Sequence, residues 1–126
     1  MYMPARRASP QAVDIAMAGS CDLLIVTVEK IVPFEQLRRY PDEIEILPYR
    51  VAGVVEAPYG AHPCAMTGAY AADDAHLKAY VEAAKDKESF GAYLKTYVSG
   101  AADHMEYLER IGVRQLMAIR DLEVMA

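Results

Sequence analysis

The chain has 126 residues, 54% of them hydrophobic and 25% charged, with a net charge of −5. That describes one ordinary globular domain, residues 1–126, and excludes a disordered or low-complexity chain. Its basic residues are scattered, with Arg6-Arg7 and Arg38-Arg39 as the only doublets, so neither nucleic acid nor anionic lipid finds a cationic face. The longest aliphatic run, Leu23 to Val28, falls far short of the ~20 residues that span a membrane. Asp14 interrupts the apolar stretch near the start, so no signal or transit segment is expected. Two cysteines, Cys21 and Cys64, form no disulfide framework and suit a reducing compartment. The expected location is cytoplasmic.

In chain order, residues 1–8 lack periodicity and read as a lead-in. Ser9-Pro10 has the form of an N-cap followed by proline in the first turn. The helix it opens should run to about Ala18, with Val13, Ala16 and Met17 on one face and Gly19 as its stop. Asp22 precedes LLIVTV, a run without alternation that suits a strand covered on both faces. Pro33 then leads into a short helix, FEQLRR, and Pro41-Asp42 marks a turn. Charged and aliphatic residues alternate from Glu43 to Leu47, which predicts a half-exposed edge strand ended by Pro48.

The stretch from Arg50 to Tyr70 is the centre of the chain. Val51 to Val55 is a second buried-type strand, closed by Pro58. It empties into a loop holding Tyr59, Gly60, His62, Pro63, Cys64, Gly68 and Tyr70. Loops that leave the ends of buried strands are where α/β proteins place ligand-facing groups. From Asp73 onward the period becomes helical. Leu77, Tyr80, Val81 and Ala84 share one face, behind Asp73 or Asp74 as cap. A second helix carries Phe90, Tyr93, Leu94 and Tyr97 and ends at Ser99-Gly100. Asp103 with Glu106 makes a capping box, Glu106 and Arg110 an i,i+4 pair, and Gly112 a break before a last helix with Leu116 and Ile119 inward.

The expected fold class is therefore α/β, a small and mostly parallel sheet flanked by helices, with a helical C-terminal run. Such a sheet is too small to cover four apolar helical faces, and its open margin invites pairing with another chain. An oligomer, or a piece of something larger, is expected.

The blocks VTVEKIVP (Val26 to Pro33) and VVEAPYGAHP (Val54 to Pro63) resemble the class I CoA-transferases, specifically the A subunit of the glutaconate CoA-transferase type. The resemblance continues through GAYAADDAHLKAYVEAAKD, AYLKTYVSG and DHMEYLERIG, covering roughly residues 13 to 120. It is confined to the C-terminal part of that longer polypeptide. It implies that coenzyme A thioester is a substrate, that no cofactor is permanently bound, and that the nucleophilic glutamate belongs to a separate B-type subunit. The partners it implies are that B subunit, the missing N-terminal half, or both, with a homodimer if neither is present. No catalytic residue is then expected in this chain. An alternative is a truncated, inactive homologue serving as an oligomeric binding or scaffold module.

Six residues are candidates for a substrate or CoA pocket: Glu29, Glu56, Tyr59, Gly60, His62 and Tyr70. Glu29 and Glu56 stand where the two strands end, either as bases of raised pKa or as partners of nearby donors. Tyr59 and Tyr70 bracket the loop, to stack on a ligand or to anchor the backbone. His62 either donates to a carboxylate or phosphate, or satisfies backbone groups in the turn. Cys64 has no nearby cation to lower its pKa and reads as a buried small hydrophobe. His62, His76 and His104 lack metal-ligand spacing, so no metal is expected.

Overall fold

A computed structural model of the protein describes residues 8–39, 41, 44 and 46–124. The chain divides into two compact units, Met1–Gly60 and Ala61–Ala126.

The first unit is built on two parallel strands, β1 (Leu24–Val28) and β2 (Val51–Glu56). Their register sets Leu24 beside Val51, Ile25 beside Gly53 and Val28 beside Glu56, with an irregularity between Leu24 and Ile25. A parallel pair needs a crossover of a dozen or more residues, and residues 29–50 supply it. Helix α1 (Ala8–Ser20) precedes β1, and the crossover holds the four-residue helix α2 (Phe34–Leu37) and a 3₁₀ turn at Pro48–Arg50. Ala18 and Ile46 are buried together, with Leu24 and Val51 against them. Arg50 reaches back to donate to the carbonyls of Ala18 and Gly19, 3.0 Å each. It thereby satisfies acceptors that the last turn of α1 leaves open.

Three expectations change here. The helix passes through Gly19 to Ser20, whose Oγ returns to the Ala16 carbonyl at 2.8 Å. The inward residue of α1 is Ala18, which packs with Ile46, while Val13 and Met17 are exposed. Over the edge strand expected at Glu43–Leu47, Ile44 makes a single bridge and Ile46 lies in a bend. Asp42, Glu43 and Glu45, like residues 1–7, lie outside the described residues.

The second unit is helical: α3 (Asp74–Ala83), α4 (Lys87–Tyr97), α5 (His104–Ile111) and α6 (Val113–Val124). Three of these start on an aspartate whose side chain accepts from a backbone N–H three residues on: Asp73 from His76, Asp86 from Ser89, Asp103 from Glu106. The capping box at α5 closes one residue early, since Glu106 accepts from the Ala102 N–H at 2.7 Å. Gly112 has φ 89°, a conformation that favours glycine, and it separates α5 from α6. Leu116 and Ile119 are buried as the periodicity predicts, and Leu108 on α5 is buried too. The α/β class holds: a small parallel sheet with helices and a helical C-terminal run.

Candidate functional site

In the first unit, the ends of the two strands are tied to each other. Glu29 follows β1 and accepts from the Tyr59 N–H at 2.7 Å. Glu56 closes β2 and accepts from the Ile31 N–H at 2.7 Å. Each carboxylate thus braces the loop that leaves the other strand, and the Ala57 N–H donates to the Val28 carbonyl between them. Tyr59 sits at φ 57°, in the left-handed region. Gly60 follows in a tight turn onto the Ala57 carbonyl, where a Cβ would come within 2.8 Å of that oxygen. Glycine is therefore required at this position by close approach. Charge-assisted bonds of this length hold carboxylates in place.

The second unit has a polar centre. His62 lies in the turn-rich segment before α3, after which the His62–Pro63 peptide is cis. Its Nε2 meets Asp73 Oδ2 at 3.1 Å, and its Nδ1 meets the Tyr107 hydroxyl at 2.6 Å. Because a carboxylate only accepts, the ring carries hydrogen on Nε2 and can take the Tyr107 O–H at Nδ1. The other oxygen of Asp73 caps α3 through the His76 N–H at 2.9 Å. His76 Nε2 pairs with the Tyr93 hydroxyl at 2.8 Å, and its ring stands edge-on to Tyr97, centroids 4.7 Å apart. Asp73 is 2% exposed, and His62 and His76 are buried with it. Tyr70 is 1% exposed, and its hydroxyl accepts from the Ala61 N–H at 2.9 Å, anchoring the start of this segment.

The electrostatics follow from that burial. Desolvation pushes the Asp73 carboxyl up, but bonds from the His76 N–H, His62 and Gln115 outweigh it and hold its pKa below the usual range. Burial, reinforced by neighbouring His62, lowers the pKa of His76 against a smaller pull from Asp73. Burial raises the Tyr107 hydroxyl to about 12. Carboxylate, imidazole and hydroxyl stand in the order of a catalytic triad, yet the hydroxyl at the end is a poor nucleophile or acid at neutral pH. The arrangement is a clasp that joins the loop to α3, α4 and α5.

His62, Asp73 and His76 also present three ligand atoms within 4.8 Å of one another. Both carboxylate oxygens and both Nε2 atoms are engaged in the hydrogen bonds above. A pocket of about 200 Å³ opens beside the clasp, lined by Asp73, His76, Tyr97, Arg110 and Gln115 among others. A second pocket of about 320 Å³ is lined by Asp74, Leu77, Lys78, Val81 and Glu82 of α3, so both stand at or below the low end of the ~300–1,000 Å³ that drug-sized ligands occupy.

Of the six sequence candidates, Glu29, Glu56, Tyr59 and Gly60 meet at the strand ends, His62 belongs to the clasp, and Tyr70 anchors the Ala61 backbone beside it. His62 is satisfied by side chains rather than by the backbone. Cys64 is exposed, not buried, because a turn from Cys64 N–H to the Ala61 carbonyl faces it outward. Sequence reasoning finds Asp73 as a helix cap and Tyr93 as packing, and it misses both the second bond of Asp73 and the role of Tyr107. The spacing His62, Asp73, His76 is visible, but nothing in it shows that the loop folds back onto α3.

No protein-family model matches the chain. It is 38% identical over 85% of its length to the A subunit of glutaconate CoA-transferase from Acidaminococcus fermentans. The crystal structure of that coenzyme A-transferase superposes with a TM-score of 0.80, covering 85% of this chain and 34% of the other. The A subunit of 3-oxoadipate CoA-transferase from Pseudomonas knackmussii is 31% identical over 69% of the chain, which spans 30% of that relative. The cholesterol ring-cleaving hydrolase IpdA subunit of Rhodococcus jostii is 35% identical over 71% of the chain, spanning 31% of that protein. The chain spans about a third of the length of these relatives. Among the described residues no helix is long and apolar enough to cross a membrane. Identity and superposition over the same 85% of the chain show homology to about a third of the A subunit of glutaconate CoA-transferase.

Proposed function

We propose that this chain contributes one wall of the active site and part of the subunit interface to an enzyme that moves CoA between carboxylic acids. The observation that carries this reading is 38% identity with a TM-score of 0.80 against glutaconate CoA-transferase. The substrate is a coenzyme A thioester, with no permanently bound cofactor. The attacking glutamate resides on a B-type partner, and formation of a glutamyl-CoA thioester there gives ping-pong kinetics. Glu29 and Glu56 brace loops, and His62 stiffens the segment that follows, so the role of this chain is to shape the pocket. Tyr59 and Gly60 hold the backbone turn in the first unit, and Tyr70 anchors the start of the second. The modest pockets of about 200 and 320 Å³ in the second unit support a site completed by other polypeptide.

The test is reconstitution with a B-type subunit together with the remainder of the A polypeptide. The acceptor acids are glutaconate and 3-oxoadipate, with an acyl-CoA thioester as donor. CoA transfer that requires this chain, with a partner glutamate trapped as a thioester, is the expected result. Hydrolysis or ring cleavage without transfer would redirect the reading toward the Rhodococcus relative. A stable homodimer that binds no CoA by calorimetry would instead favour a scaffold module.

A further inference from the structure

We propose that His62, Asp73 and His76 form a reversible Zn²⁺-binding site at the centre of the second unit, completed by a ligand entering from the pocket beside the clasp. This goes beyond the proposed function and stands without it, since the ion takes no part in the transfer reaction. The three histidines of the chain have no ligand spacing between them, but the fold sets a carboxylate in the place of His104. One ligand atom from each of His62, Asp73 and His76 lies within 4.8 Å of the other two. His62 Nε2 and Asp73 Oδ2 are already 3.1 Å apart. Two ligands bound at ~2.0–2.1 Å to one tetrahedral zinc stand ~3.3 Å from each other. That pair therefore has the spacing of ligands on one ion, and the third has to close by at most ~1.5 Å.

The chemistry of the donors fits as well. Two imidazoles and a carboxylate are a borderline set that suits zinc. The Asp73 carboxyl is held ionised, and burial keeps His76 neutral, so one offers an anion and the other a lone pair. The bonds that the ion displaces have partners able to adapt. His62 carries its hydrogen on Nε2; moved to Nδ1, that hydrogen is donated to the Tyr107 hydroxyl 2.6 Å away, and the ring stays neutral. The hydroxyl changes from donor to acceptor, and becomes the outer partner that metal-bound histidines usually have. Asp73 Oδ1 keeps its bond from the His76 N–H, so α3 retains its cap. Asp73 and His76 also line the pocket of about 200 Å³, together with Gln115 and Arg110. A water, which occupies ~30 Å³, or a small anion reaches a fourth position from there. Arg110 is paired with Glu106 at 2.6 Å, which offsets its repulsion of a cation.

The test uses the full chain, stripped by a chelator, then titrated with ZnCl₂ by calorimetry and with Co²⁺ by visible absorption. We expect one ion per chain, the intense absorption of tetrahedral cobalt, and a melting temperature that rises with zinc concentration. Asp73→Asn, which keeps an acceptor for the α3 cap, and His76→Gln should each weaken zinc binding. Their loss should exceed the ~10–100-fold expected of Tyr107→Phe, which removes only an outer partner. On the unmutated chain, the ring-nitrogen resonances of His62 and His76 should shift on zinc addition while those of His104 stay in place, a readout that does not depend on any variant folding. Absence of saturable one-to-one binding overturns the proposal. So does binding that moves His104 instead or is lost in Cys64→Ala, since either names a surface site.

Discussion

The two units solve the problem of a small core in opposite ways. Residues 61–126 close around a polar clasp in which an aspartate, two histidines and two tyrosines satisfy one another. Among the described residues of 1–60, little beyond Ala18, Val26 and Ile46 is buried, and Ile25, Val54 and Val55 stand in the open. A buried polar network is directional and complete in itself, since each donor has its acceptor. An aliphatic strand is neither: it gains from any neighbour that removes it from water. The difference predicts that damage to the clasp is felt as lost stability of the second unit, and damage to the sheet as lost association.

The sharpest way to break this comparison is Asp73→Ala. It removes the cap of α3 and leaves the buried Nε2 of His62 without a partner, for a combined loss of about 3 kcal/mol. Urea unfolding and hydrogen exchange over residues 61–126 would measure it, and unchanged protection there would refute the clasp. Tyr107→Phe should cost about 1–2 kcal/mol by leaving Nδ1 unpaired.

Acid and alkali probe the same network from both sides. His76 titrates below its ordinary 6.5 in the folded state, so an unfolded chain binds protons first. Stability should be intact above pH 6.5 and fall as the pH drops through that value. Asp73, held below 3.8, adds a further loss only as the pH falls below that point. Tyr107, raised to about 12 from 10.0, adds a loss as the pH rises between those values. Tyr107→Phe should shrink the alkaline limb to the part that Tyr93, also raised by burial, contributes, and thermal melts across pH would show it.

Glu29→Gln or Glu56→Gln should cost at most about 1 kcal/mol, because the bonds lie near the surface. The effect would be faster amide exchange at Tyr59 or Ile31 with no change in the second unit. Lys85→Ala is the control: an exposed pair with Glu82 contributes about 0–0.5 kcal/mol, and no measurable change is expected.

Much of this is legible in the chain itself. The aliphatic runs mark both strands, and the aspartates three residues ahead of backbone donors mark the starts of α3 and α5, because these signals act within a few residues. The inward face of α1 escapes such a reading, since Ala18 against Ile46 depends on a contact between residues far apart in sequence. His62 and Tyr107 are further apart still, 45 positions, and no local pattern records such a pairing.

The crossed carboxylates at the strand ends have a consequence for how the sheet assembles. In strands of five and six residues, apolar side chains of similar size leave alternative alignments close in energy. A slip of one position would draw Glu29 from Tyr59 and Glu56 from Ile31 together. Alignment of the pair is therefore dictated by two ionic latches beyond the ladder, and any third strand would arrive on a template whose phase is already set.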